Sequence, residues 1–139
     1  KYRSILIKCA IINASVFIGA FGAGSAMAEG MTWSDLKNAV DTAASGATIN
    51  ISNSIISNGE GIGIWKKNNI TLQGVDVIFL NGDNQYIGFE LGNGITAGFT
   101  NISFNNFAAS EELYAGAITN IQSILNITDS DFNLNAEYF

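Results

Sequence analysis

Beyond residue 28 this chain contains no histidine, no arginine, no cysteine and no proline. The whole 139-residue sequence has a single cysteine, Cys9, and a single arginine, Arg3, both near its start. These absences exclude a histidine general base, a cysteine nucleophile, a zinc centre held by His or Cys, and an arginine clamp on phosphate. They also exclude a disulfide, so stability must come from packing and backbone hydrogen bonds. Positive charge is equally scarce. After residue 28 only Lys37, Lys66 and Lys67 remain against all twelve acids, a net charge of 3 − 12 = −9. Nucleic acid would repel such a chain, since binding it takes clustered Lys and Arg that displace counterions. No polybasic patch exists to hold an anionic membrane surface either. The composition therefore points away from catalysis. It assigns no catalytic residue, no metal ligand and no cofactor.

The segment from Lys1 to Ala28 reads as a secretory signal peptide. Lys1, Arg3 and Lys8 give a positive start, and Cys9 to Ala23 is almost wholly apolar or small. Ala26-Met27-Ala28 then places small residues at the two positions a signal peptidase reads, with Glu29 beginning the mature chain. A spanning helix needs about 20 apolar residues, and Lys8 and Asn13 cut this run short. Removal leaves Glu29 to Phe139, enough for one small domain with a core. An exported protein is expected, at the cell surface, in the outer membrane or outside the cell.

Met31 to Gly46 reads as a helix. Thr32 suits the N-cap, Asp35 lies near the positive end of the helix dipole, and Gly46 supplies a stop. Trp33, Leu36, Val40 and Ala43 form one apolar face. From Ala47 onward the pattern changes to short runs rich in Ile, Val, Phe and Thr: 47–51, 62–65, 70–72, 75–80, 86–91, 99–104, 117–118 and 124–127. Asn- and Gly-rich corners separate them, such as Asn58-Gly59, Asn81-Gly82-Asp83-Asn84 and Gly92-Asn93-Gly94. These residues tolerate left-handed backbone angles. Short strands with such corners fit an all-β solenoid or sandwich.

A repeat favours the solenoid. Thr100-Asn101-Ile102-Ser103-Phe104-Asn105 returns as Thr128-Asp129-Ser130-Asp131-Phe132-Asn133, every position shifted by the same step, 100 to 128 and 105 to 133. A period of this size marks stacked units that touch only their neighbours. On successive coils, about 4.8 Å apart, Phe104 would lie over Phe132 in an internal aromatic stack and Asn105 over Asn133 in an amide ladder.

These residues carry a family likeness. Ala115-Gly116-Ala117-Ile118 resembles the Gly-Gly-Ala-Ile motif, and Phe132-Asn133-Leu134-Asn135 the Phe-x-x-Asn motif, of polymorphic outer-membrane proteins and related autotransporter passengers. Phe104-Asn105-Asn106-Phe107 is a degenerate copy lacking the final Asn. Leu36 to Ile51 resembles the helix-plus-strand cap that opens many such passengers and pectin-lyase-like proteins. The resemblance implies a right-handed parallel β-helix, divided as signal peptide 1–28, capping helix 29–46 and truncated coils 47–139. It also implies a host-surface protein or glycan as partner, and membrane attachment only through a C-terminal β-barrel. Members normally carry many more coils, so Phe139 reads as a truncation point, and an uncapped last coil would be prone to self-association.

Other groups carry less. Glu111-Glu112 could act as an acid–base pair but fits a solvated corner loop better, within the protruding segment Ser110 to Tyr114. Asp129 and Asp131 could share a strand face, yet calcium needs six to eight oxygen ligands. Lys66-Lys67 beside Asn68-Asn69 reads as a corner. Trp65 and Tyr86 could stack on sugar rings or serve as partly buried packing. Asn50, Asn69, Asn101 and Asn126 begin Asn-x-Ser/Thr triplets but read as strand and corner residues. The expectation is an autotransporter-type adhesin passenger that binds rather than catalyses. A pectin-lyase-like polysaccharide-binding or processing protein is the alternative, and a structural surface component without a specific ligand is the second.

Overall fold

The computed structural model of the chain describes residues 30–65, 67–109 and 116–136. The signal-like segment with its cleavage residues Ala26, Ala28 and Glu29 lies outside the described residues. So do Lys66, the Glu111-Glu112 loop, Ala115 and Glu137 to Phe139.

Among the described residues one short helix, α1 (Trp33–Thr42), precedes nine strands. Its start follows from a capping box. The Thr32 hydroxyl accepts the Asp35 N–H at 3.2 Å, and the Asp35 carboxylate accepts the Thr32 N–H at 2.9 Å. The helix ends at Thr42, short of Gly46, because Ala43 turns to an extended ψ of 144°. The Gly46 N–H then pairs with the Asn68 carbonyl. Trp33, Leu36, Ala39 and Val40 are buried, and Ala43 packs beside them.

The strands are β1 (Thr48–Ile51), β2 (Ile55–Ile56), β3 (Ile62–Ile64), β4 (Ile70–Asn81), β5 (Phe89–Leu91), β6 (Thr96–Asn105), β7 (Ile118–Asn120), β8 (Ile124–Thr128) and β9 (Asp131–Asn133). They form a six-stranded sheet, with path β1-β4-β6-β8 plus β2 on β4 and β9 on β6, and a three-stranded sheet β3-β5-β7. Every pairing is parallel. The registers define three faces. Ile49, Leu72, Phe99 and Ile127 align on the first. Ile55, Leu80, Phe104 and Phe132 align on the second. Ile62, Phe89 and Ile118 align on the third. The chain visits these faces in the same order on each pass.

Two expected runs, 70–72 and 75–80, fuse into β4. A register shift between Gln73 and Ile78 accommodates Gly74 to Val77 opposite Asn101. The run expected from Tyr86 becomes strand only at Phe89, because the Gln85 and Tyr86 N–H groups turn back to the Gly82 carbonyl. β2 is too short to show periodicity, and sequence reading missed it.

Some corners recur at a fixed offset. Gly94 and Gln122, Asn101 and Asp129, and Asn106 and Leu134 all have positive φ, and the same step separates the members of each pair. Side-chain oxygens of one pass bond backbone N–H groups of the neighbouring pass at a sequence separation of 28: Ser123 to Ile95, Ser130 to Ile102 and Asn135 to Phe107. These bonds meet the demand that buried backbone donors be paired.

The interior is aromatic. Phe89 of the smaller sheet meets Phe99 and Phe104 of the larger at 5.0 and 6.1 Å between ring centroids. Phe104 and Phe132 stack at 4.8 Å and 10°. Their alignment is the one expected, although Phe132 is 46 % exposed. Asn105 and Asn133 are also in register. Each donates its amide to the Ser103 hydroxyl, at 3.3 Å. Among the described residues no buried side-chain nitrogen or oxygen lacks a hydrogen bond.

The helix closes the β1–β3 end of this core. Trp33 contacts Phe89 and Phe107 and donates its indole N–H to the Glu60 carbonyl. Asn53 grips both the N–H and the carbonyl of Met31, and Asn58 bonds Ser34. The Lys67 ammonium donates to the carbonyls of Val40 and Asp41, where a cation offsets the negative end of the helix dipole.

Candidate functional site

The residues of the two sequence motifs occupy structural positions. A Cβ on Gly116 would lie 2.6 Å from both the Phe107 and Ala136 carbonyl oxygens, so glycine is needed for close backbone approach. Ala117 is buried and Ile118 opens β7. Phe132 and Asn133 lie in β9. Leu134 takes the left-handed corner, with φ 53°, and is 83 % exposed. Asn135 fastens the corner by accepting from Phe107 N–H at 2.9 Å and donating to the Phe104 carbonyl at 2.9 Å.

The remaining candidates are dispersed. Asp129 sits at a left-handed corner and Asp131 opens β9, so a bend separates them. Among the described residues no group of three or more His, Cys, Asp or Glu side chains is placed to hold a metal. Asn69 and Asn101 take left-handed corners, while Asn50 and Asn126 lie within β1 and β8. Trp65 and Tyr86 do not meet at one site by register. Trp65 follows β3 at one end of the third face, and Tyr86 precedes β5 at the other.

Trp65 is built into a more definite feature. On a strand, residues two apart share a face, so Gly63 and Trp65 both point outward. A side chain at Gly63 would overlap the Trp65 indole nitrogen. On the next pass the Gly92 N–H pairs with the Ile64 carbonyl, and a Cβ there would come within 3.2 Å of the same ring. Two side-chain-free positions thus form a bed for the indole, which remains 54 % exposed. Beside it opens a cavity of about 250 Å³ lined by Val40, Asp41, Gly63, Ile64, Trp65 and Lys67. The Asp41 carboxylate pairs with Lys37 at 3.3 Å. Sequence reading found Trp65 alone. The Gly-x-Trp spacing on a strand was the available signal for its bed, whereas Asp41 and Lys67 converge only through the docking of α1.

A shallower groove of about 190 Å³ crosses the first face, lined chiefly by Thr71, Thr96, Gly98, Thr100, Asn126 and Thr128. On the third face, Glu90 aligns with Gly63 and Thr119, and burial pushes its carboxyl above the ordinary value of 4.5. Comparison with protein-family models, curated proteins and solved structures finds no match. No helix among the described residues is long and apolar enough to cross a membrane, which says nothing of a β-barrel.

Proposed function

We propose that this chain is the N-terminal part of an exported cell-surface protein built as a right-handed parallel β-helix, of the kind found in autotransporter passengers and polymorphic outer-membrane proteins. In this reading it acts by binding rather than by catalysis. The observation that carries the reading is the repeated parallel return of the chain to the same three faces, with corners and side-chain hydrogen bonds recurring at a 28-residue offset between the last two passes. Connections between parallel strands of one sheet are right-handed in about 98 % of cases, which supports the hand. The signal-like start supports export. A rod with a helix over one end presents its outer faces and loops to a host-surface protein or glycan, and membrane attachment would come through a barrel elsewhere. The apolar side chains left open on the last described coil, Ile127, Phe132 and Leu134, support self-association.

Two readouts test this. The chain is expressed in a Gram-negative host with Lys1 to Ala28 in place. The exported product is expected to begin at Glu29, and in the native cells a protease added outside is expected to remove the protein. Retention in the cytoplasm with Lys1 to Ala28 still attached would sink the reading.

A further inference from the structure

We infer that the Trp65 shelf is a binding site for a single hexopyranoside, such as the terminal sugar of a glycan. The inference deepens the binding role proposed above and rests on it. Three observations converge. The first is the bed itself: Gly63 and Gly92, from adjacent passes, leave room for the indole to lie against the coil while half its surface faces solvent. An aromatic ring resting on side-chain-free backbone with about half its surface free is suited to stacking on the apolar C–H face of a pyranose ring. Amphipathic aromatics generally serve where one side of a contact is apolar and the other wet.

The second is size. Pockets for drug-sized ligands span roughly 300–1,000 Å³. The cavity beside Trp65, at about 250 Å³, suits one ring rather than an extended ligand. Val40 and Ile64 supply apolar wall on either side.

The third is charge. Both ionic groups at the cavity are already engaged. The Lys67 ammonium is held by the Val40 and Asp41 carbonyls, and the Asp41 carboxylate is paired with Lys37. Asp41 still offers acceptor capacity, since an ionised carboxylate has about four lone-pair sites, and sugar hydroxyls are donors.

The test uses the full chain and two probes: methyl β-D-glucopyranoside and methyl β-D-galactopyranoside. With only two tryptophans in the chain, the Trp65 and Trp33 indole N–H resonances can be followed separately, with buried Trp33 as internal control. The expected result is a saturable, millimolar shift of the Trp65 signal with at least one glycoside and a signal from Trp33 that stays put. Trp65→Ala and Gly63→Ala should each weaken binding at least tenfold, the second by displacing the ring. Trp65→Phe should retain part of the binding. Silence of the Trp65 signal with both glycosides would overturn the assignment. So would undiminished binding by Trp65→Ala. Trp65 is exposed, so its replacement leaves the core intact and the result readable. Surface display, read by the external protease, does not depend on Trp65, so the two proposals fail separately.

Discussion

Trp33 and Phe132 lie against the same internal run of phenylalanines, yet one is 1 % exposed and the other 46 %. At the Trp33 end, α1 lies over the first pass. Its N-terminal side is held by Asn53 and Asn58, and its last carbonyls by Lys67. At the other end, β8 and β9 belong to the same registers but have no element over them among the described residues, and Ile127, Phe132 and Leu134 stay open. The difference shows what stacking alone provides. Among the described residues, register, corners and side-chain hydrogen bonds continue into β8 and β9, whereas burial falls there.

Several substitutions would break or sharpen that contrast. Trp33→Ala is expected to cost about 3–5 kcal/mol in urea unfolding, the usual range for a fully buried large aromatic. Phe132→Ala should cost roughly 1–2 kcal/mol, because half its surface is already wet. Equal losses would mean that the ends are energetically alike. Thr32→Ala and Asn53→Ala should each cost about 1–2 kcal/mol through loss of a cap or of a bond that seats the helix. Helical circular dichroism should fall first in these variants.

At the open end the sign reverses. Leu134 occupies a left-handed corner at φ 53° while its side chain is mostly in solvent. Leu134→Asn should therefore stabilise the chain by up to about 1 kcal/mol, read as a rise in Tm. An unchanged or lower Tm would show that Leu134 gains more from contact than its backbone loses.

The smallest expected effect lies between the ends, at Glu90. Burial raises its carboxyl above the ordinary 4.5, so the folded state holds that proton more tightly than the unfolded state does. Stability from this group is present below the ordinary value and is lost as pH rises through the folded one. Glu90→Gln should flatten this part of the stability–pH curve. A curve that keeps its slope in the variant would move the effect to another group.

Much of this arrangement was legible in the residues. The Thr-x-x-Ser/Asp-Phe-Asn repeat carried the offset between passes, and the Thr32–Asp35 pairing marked the helix start, because both depend on local chemistry. The helix end was misread, since Gly46 takes its left-handed angle in the turn after α1 rather than at the cap. Corners at Gln122 and Leu134 carried no signal, because neither residue type favours positive φ. The Trp65 shelf was half visible. Its aromatic ring could be read from the chain, but the Gly92 bed and the Asp41–Lys67 wall come from different passes and from the helix.

The corner hydrogen bonds have one further consequence. Ser123, Ser130 and Asn135 each reach back by the same separation of 28 to a backbone N–H, so one pass presents the sockets into which the next one plugs. A tandem duplication of one such segment at the gene level would therefore arrive with its plugs aligned and its corners in place. In a β-helix of the kind proposed above, length is a quantity that replication slippage can adjust without redesigning the interior, because each new segment meets only the one before it.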